Sequence, residues 1–68
     1  MSVAKVTEII ASSPKSFDDA MKIGITRAHK TLTHLKSAWI KNQQIMLDEE
    51  GQVREYRVTM KVTFIIED

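Results

Sequence analysis

The hydrophobic and polar positions alternate most regularly toward the end of the chain, over residues 52–66. One set of alternate positions is apolar or aromatic: Tyr56, Val58, Met60, Val62, Phe64 and Ile66. The other set is polar: Glu55, Arg57, Thr59, Lys61 and Thr63. A period of two residues is typical of a strand with one buried face. A second stretch, residues 36–47, precedes it and also predicts a strand.

The acidic turn between these stretches predicts a hairpin. Gly51 is suited to a positive φ angle, and a three-residue loop over 49–51 matches a type I turn followed by a left-handed glycine. This loop fixes how the two strands pair, and therefore which side chains share a face.

The predicted pairing places Trp39 opposite Lys61 and Gln43 opposite Arg57, all on the polar face. A two-residue loop would reverse the faces and bury Trp39. Two interpretations of Trp39 stay open: a packing residue in the core or between subunits, or an aromatic platform on which a flat ligand stacks.

The first half of the chain predicts one more strand and a helix. Residues 2–12 are rich in β-branched residues. Ser16 is suited to be the N-cap of a helix that carries Asp18 and Asp19 in its first turn. Apolar residues at helical spacing then form one stripe: Phe17, Ala20, Met21, Gly24, Ile25, Ala28, Leu32 and Leu35.

The elements therefore predict an α+β fold with a single β-α-β-β domain over residues 1–68. The third strand is antiparallel to both others, which gives a three-stranded antiparallel sheet of order 1-3-2 with the helix on one face. The other face would carry Trp39, Ile45 and Ile65 with no cover from the chain itself. Such a face favours contact with another subunit, as does the small size of the chain.

Charge and composition exclude several classes of function. Ten Lys and Arg residues against nine Asp and Glu give a net charge of +1, which argues against nucleic acid or a membrane surface as partner. The chain has no Cys and no apolar run of membrane-spanning length, which favours the cytoplasm. His29 and His34 are five residues apart, so a metal site on one helix face is not expected. No catalytic arrangement is recognisable, so we expect no enzyme.

The whole chain from Val3 onward resembles the dodecin family. The matching segments are Val6–Ile9, Ser12-Ser13, Arg27-Ala28, Lys30–Leu32 and Glu55–Phe64. The resemblance implies a β-α-β-β protein that assembles as twelve chains and stores or buffers riboflavin or FMN at subunit interfaces. Some dodecins bind coenzyme A or small ions instead.

The resemblance also suggests which residues would bind the ligand. The family's stacking Trp corresponds to Ser37 here, and Trp39 lies two residues further along, on the same face of a strand and about 7 Å away. The family's Gln on the last strand corresponds to Arg57, which donates hydrogen bonds but accepts none. The expected flavin site therefore comprises Trp39, Arg57, Gln43, Ser37 and Lys61. The alternative is a similar assembly that binds coenzyme A, a nucleotide, phosphate or a metal ion without flavin.

Overall fold

A computed structural model describes residues 3–66 of the chain, so Ser2 of the predicted first strand lies outside the described residues. The elements are β1 (Val3–Ser13), α1 (Phe17–Thr31), β2 (Leu35–Leu47) and β3 (Val53–Ile66). The strands form one antiparallel sheet of order β1-β3-β2. The predicted fold class and strand order are confirmed.

The hairpin between β2 and β3 has the predicted loop. The Gly51 amide donates to the carbonyl of Asp48 at 3.1 Å, and the Asp48 amide donates to the carbonyl of Gln52 at 2.9 Å. Gly51 has a φ of 79°, in the left-handed region that glycine adopts without strain. The Asp48 carboxylate also accepts hydrogen bonds from the amides of Glu50 and Gln52, both at 2.9 Å. These two bonds stabilise the turn in which Asp48 lies.

Helix α1 begins at the predicted cap and ends earlier than the apolar stripe suggests. The Ser16 hydroxyl accepts the Asp19 amide at 3.0 Å. Leu32 caps the other end with an extended backbone, and its amide donates to the Ala28 carbonyl at 2.8 Å. The expectation that Leu35 continues the helical stripe is wrong, because Leu35 is the first residue of β2.

The core lies between α1 and the two strands beneath it, β1 and β3. Its buried apolar residues are Ala11, Ala20, Ala28, Val58, Met60 and Val62. Gly24 lets the helix approach closely, since a Cβ there would lie 2.7 Å from Cε of Met60 and 3.0 Å from Cβ of Ala11. The face of the sheet that packs on α1 is called the inner face below, and the opposite face is the outer face.

The pairing of β2 with β3 corrects part of the predicted register. Trp39 is opposite Lys61, as expected, but the partner of Arg57 is Gln44 and the partner of Gln43 is Val58. One irregularity between Met46 and Leu47 shifts the pairing by one residue, and a second, between residues 40 and 42, restores it. The prediction that Gln43 faces Arg57 is therefore wrong.

Candidate functional site

The outer face is built of rows of three residues, one from each strand, because directly paired residues in adjacent strands share a face. One row is Trp39–Lys61–Glu8, and the next is Asn42–Thr59–Ile10. A third row, Gln44–Arg57–Ser12, follows toward the hairpin, and Ser37–Thr63–Val6 lies on the other side. These rows place most polar residues of the sheet on the side away from α1.

Trp39 is the aromatic residue of this face, and 49% of it is exposed. Its position on the outer face was predicted from the hairpin loop, and the structure confirms it. An indole that is half exposed has a flat apolar surface available for contact with another chain or with a planar ligand.

The irregularity in β2 gives the row around Trp39 an additional cation. Lys41 lies between Ile40 and Asn42, which are paired with consecutive residues of β3, so Lys41 has no partner of its own in the pairing. Its Nζ lies 3.1 Å from Oε1 of Glu8, on the far strand. The Lys41 side chain therefore reaches from the strand of Trp39 to β1, at the edge of the same row.

Arg57 is held in place by its own chain. One guanidinium nitrogen, Nη2, donates to Oε1 of Glu55 at 2.6 Å, and Nε donates to the Ser12 hydroxyl at 3.3 Å. Arg57 lies four residues before Lys61 on β3, a separation of about 13 Å in a strand. A ligand on Trp39 therefore meets Lys61 and Asn42 first within one chain, and Arg57 only if the ligand or a second chain spans that distance.

The structure brings together four of the five predicted site residues on one face. Trp39, Lys61, Ser37 and Arg57 are on the outer face, whereas Gln43 is paired with the fully buried Val58 and therefore belongs to the inner face. The expectation that Ile45 lies on the outer face is also wrong, because Ile45 is paired with Tyr56. Tyr56 packs against Phe17 of α1, with ring centroids 5.1 Å apart.

Two outer-face residues near Trp39 escaped the sequence analysis: Asn42 and Gln44. A strict alternation from Trp39 assigns residues 41 and 43 to its face, and the irregularity shifts the assignment to 42 and 44. Asn42 matters for chemistry, because its amide both donates and accepts hydrogen bonds, which Arg57 cannot do. The signal that would have identified it is the position of the bulge.

Metal binding has little support among the described side chains. Within residues 3–66, no group of three or more His, Asp or Glu residues lies close enough to hold a metal ion.

The same residues include no helix that is long and apolar enough to cross a membrane.

The fold and this face define a small β-α-β-β protein in which, over residues 3–66, a helix covers one side of the sheet and leaves the other uncovered. The family model for dodecin matches residues 3–67. The chain is 33% identical over 64 residues to the calcium dodecin of Mycobacterium tuberculosis, covering 94% of this chain and 89% of that protein. It is 33% identical over 66 residues to a dodecin of Thermus thermophilus, covering 97% and 94%.

The fold agrees with a solved dodecin. The structure of dodecin from Streptomyces davaonensis matches with a TM-score of 0.92 at 34% identity and covers 98% of this chain and 97% of its own. The protein belongs to the dodecin family.

Proposed function

We propose that this protein is an oligomeric binding protein that stores or buffers a flavin, riboflavin or FMN, at contacts between its chains. It acts by binding and not by catalysis. The observation that carries the proposal is Trp39 on the outer face, half exposed and beside a cation and an amide. Membership in the dodecin family supports it.

The residues around Trp39 fit a flavin, which is a flat ring system with polar edges. The indole supplies a stacking surface, and an aromatic pair contributes about 1 kcal/mol beyond the burial of area. Lys61 is directly opposite Trp39, and Asn42 is in the next row, about 7 Å along the strand. Together they offer donors and an acceptor at two places on the edge of a stacked ring.

The shape of the chain supports assembly. Its radius of gyration is 14.0 Å, whereas a compact domain of this length would have about 11 Å. Its accessible surface is 5082 Å², against about 4,400 Å² for a compact monomer of this mass. The elongated shape leaves many apolar side chains uncovered, and contact between copies would bury them.

Contact between two copies of the chain would be favourable at one groove. It lies between α1 and the edge strand β1 and has a volume of about 690 Å³. Ile10 and Ile23 line it, and they are 65% and 47% exposed. Since a second copy of the chain would cover both, we propose a homo-oligomer, with twelve chains as the family resemblance implies.

A second function is favoured by two features of the outer face. Ser37 stands where the resemblance implies the stacking Trp, and Arg57 is engaged with Glu55 and Ser12. An assembly with this face would bind coenzyme A, a nucleotide, phosphate or a metal ion instead of flavin. One similar protein is named calcium dodecin. The expected cytoplasmic location stays a prediction.

Two measurements on the purified protein separate these functions. A visible absorbance spectrum with the bands of bound flavin, or their appearance after incubation with FMN and removal of free ligand, supports flavin binding. Sedimentation equilibrium should give a mass of several chains at micromolar concentration. A monomer would contradict the assembly, and an oligomer that retains no flavin would favour the second function.

A further inference from the structure

The hairpin between β2 and β3 extends beyond the rest of the sheet. Toward the hairpin, Tyr56 is the last residue of β3 that pairs with β1, whereas pairing with β2 continues to Val53, opposite Leu47. The fourteen residues of β3 span about 46 Å, and the fifteen residues of α1 span about 22 Å. Among residues 3–66, the end of the hairpin is therefore a ribbon of two strands, which is only marginally stable by itself.

The end of the hairpin combines an apolar pair with an acidic turn. Leu47 and Val53 share a face because they are directly paired, and they are 56% and 47% exposed. Glu49 lies two residues beyond Leu47, at most about 7 Å away along the chain, and Glu50 follows it. Both glutamates are exposed, and neither forms an ion pair with another residue of the described range, 3–66.

The groove between α1 and β1 has complementary features. Ile23 and Arg27 line it from the helix, and both side chains are exposed. Residues four apart on a helix are neighbours at about 6 Å, so an apolar contact and a cation lie side by side. Within residues 3–66, Arg27 forms no ion pair. The separation of apolar and charged groups is therefore similar on the hairpin and in the groove, and their charges are opposite.

From this match, we propose that the end of one chain's hairpin docks in the α1–β1 groove of a second copy. The apolar pair of the hairpin packs on the isoleucines of the groove, and the acidic turn lies beside Arg27. The inference rests on the proposed assembly and deepens it by naming the two surfaces in contact. Because the two surfaces differ, each chain can give one hairpin and receive another, so the contact can join more than two copies.

Reversing charges tests the ionic part of the contact. Arg27→Glu replaces an attraction with a repulsion, so it should raise the apparent dissociation constant of the assembly roughly tenfold at low ionic strength. Combining it with Glu49→Lys and Glu50→Lys should restore most of the affinity. Lys22→Glu is the matched control, because Lys22 is exposed on the same helix and does not line the groove. Sedimentation over a range of protein concentrations measures the constants.

Chemical cross-linking tests the contact itself, because the chain has no Cys of its own. The double variant Ile23→Cys/Leu47→Cys, treated with a short bismaleimide, should give covalent products of two or more chains. The two single variants, treated alone, should remain single chains, whereas a mixture of them should give dimers. The control is Ile23→Cys/Lys5→Cys, because Lys5 is exposed and is paired with Phe64, toward the opposite end of β3 from the hairpin.

The outcomes separate this contact from the function on which it rests, and none of the measurements needs a flavin. If wild type is a monomer at micromolar concentration, the proposed assembly fails. If wild type is an oligomer but Ile23→Cys/Leu47→Cys gives no more cross-linked product than the control, the assembly stands and the hairpin contact is overturned. If Arg27→Glu weakens the assembly no more than Lys22→Glu does, the pairing of the acidic turn with Arg27 is overturned.

Discussion

Replacing Gly24 with alanine tests how closely α1 is seated on the sheet. The added methyl group would lie 2.7 Å from Cε of Met60 and 3.0 Å from Cβ of Ala11. Alanine in a helix interior is favoured over glycine by about 1 kcal/mol. Overpacking of a close-packed core costs about 1 to 3 kcal/mol. Because Met60 is buried and Cβ of Ala11 moves only with its backbone, we expect the cost to exceed the gain.

Gly24→Ala should therefore lower the free energy of unfolding by about 1 kcal/mol, the difference between these two terms. Urea unfolding followed by far-ultraviolet circular dichroism measures it, at one protein concentration because assembly contributes to apparent stability. Thr26→Ala is the matched control, since Thr26 is exposed on the same helix and its replacement should stabilise slightly.

A second variant separates steric crowding from other effects of Gly24→Ala. Met60→Leu removes the Cε atom that the new methyl group meets first. In the double variant, the cost of Gly24→Ala should be smaller than in the wild-type background. If Gly24→Ala stabilises the protein as much as Thr26→Ala does, the close approach of helix and sheet is refuted.

Three further substitutions test single contacts, each by urea unfolding. Ser13→Ala should lower the free energy of unfolding by about 1 to 3 kcal/mol, since the buried Ser13 hydroxyl donates to the Asp19 carboxylate at 2.6 Å; no loss would show that the bond contributes nothing. Gly51→Ala should cost about 1 kcal/mol at a φ of 79°, and Gly51→Asn less; equal costs would contradict a conformational origin. Lys41→Met should change stability by less than about 1 kcal/mol, because its ion pair with Glu8 is half exposed; a double-mutant cycle with Glu8→Gln giving a larger coupling would contradict this.

The sequence was sufficient to predict the face of Trp39, because two independent signals agree. The alternation along β3 distinguishes its inner and outer positions, and Gly51 indicates the loop that sets the pairing. A one-residue change in pairing would move every side chain of β2 to the other face. Trp39 is correctly placed because the two irregularities in the hairpin cancel before it is reached.

The residues between those irregularities could not be placed from the sequence. Residues 41–44 are Lys, Asn, Gln and Gln, and a run without apolar residues contains no alternation to mark a face. Gln43 was therefore assigned to the outer face by simple counting, although Gln44 lies there. A bulge depends on backbone pairing between strands, which the local sequence does not reveal here.

The end of the helix was mispredicted for a related reason. Leu35 continues the helical spacing of the apolar stripe, but the chain leaves the helix after Thr31. His34 then adopts a φ of 58°, and its carbonyl accepts the Ile65 amide at 3.1 Å. Pairing with β3 thus begins before the apolar pattern changes from helical to strand periodicity.

Titration of the protein with FMN, with protein and flavin emission both recorded, tests most directly whether Trp39 is a ligand platform. In wild type, bound flavin should quench the emission of Trp39 and lose its own emission, with saturation. Trp39→Ala should abolish the quenching of flavin emission, and Trp39→Phe should retain part of it by stacking. Ile45→Ala, a control at an equally exposed position on the inner face of the same strand, should bind FMN as wild type does. An absence of quenching at tens of micromolar FMN, or undiminished quenching of flavin emission in Trp39→Ala, would contradict the account.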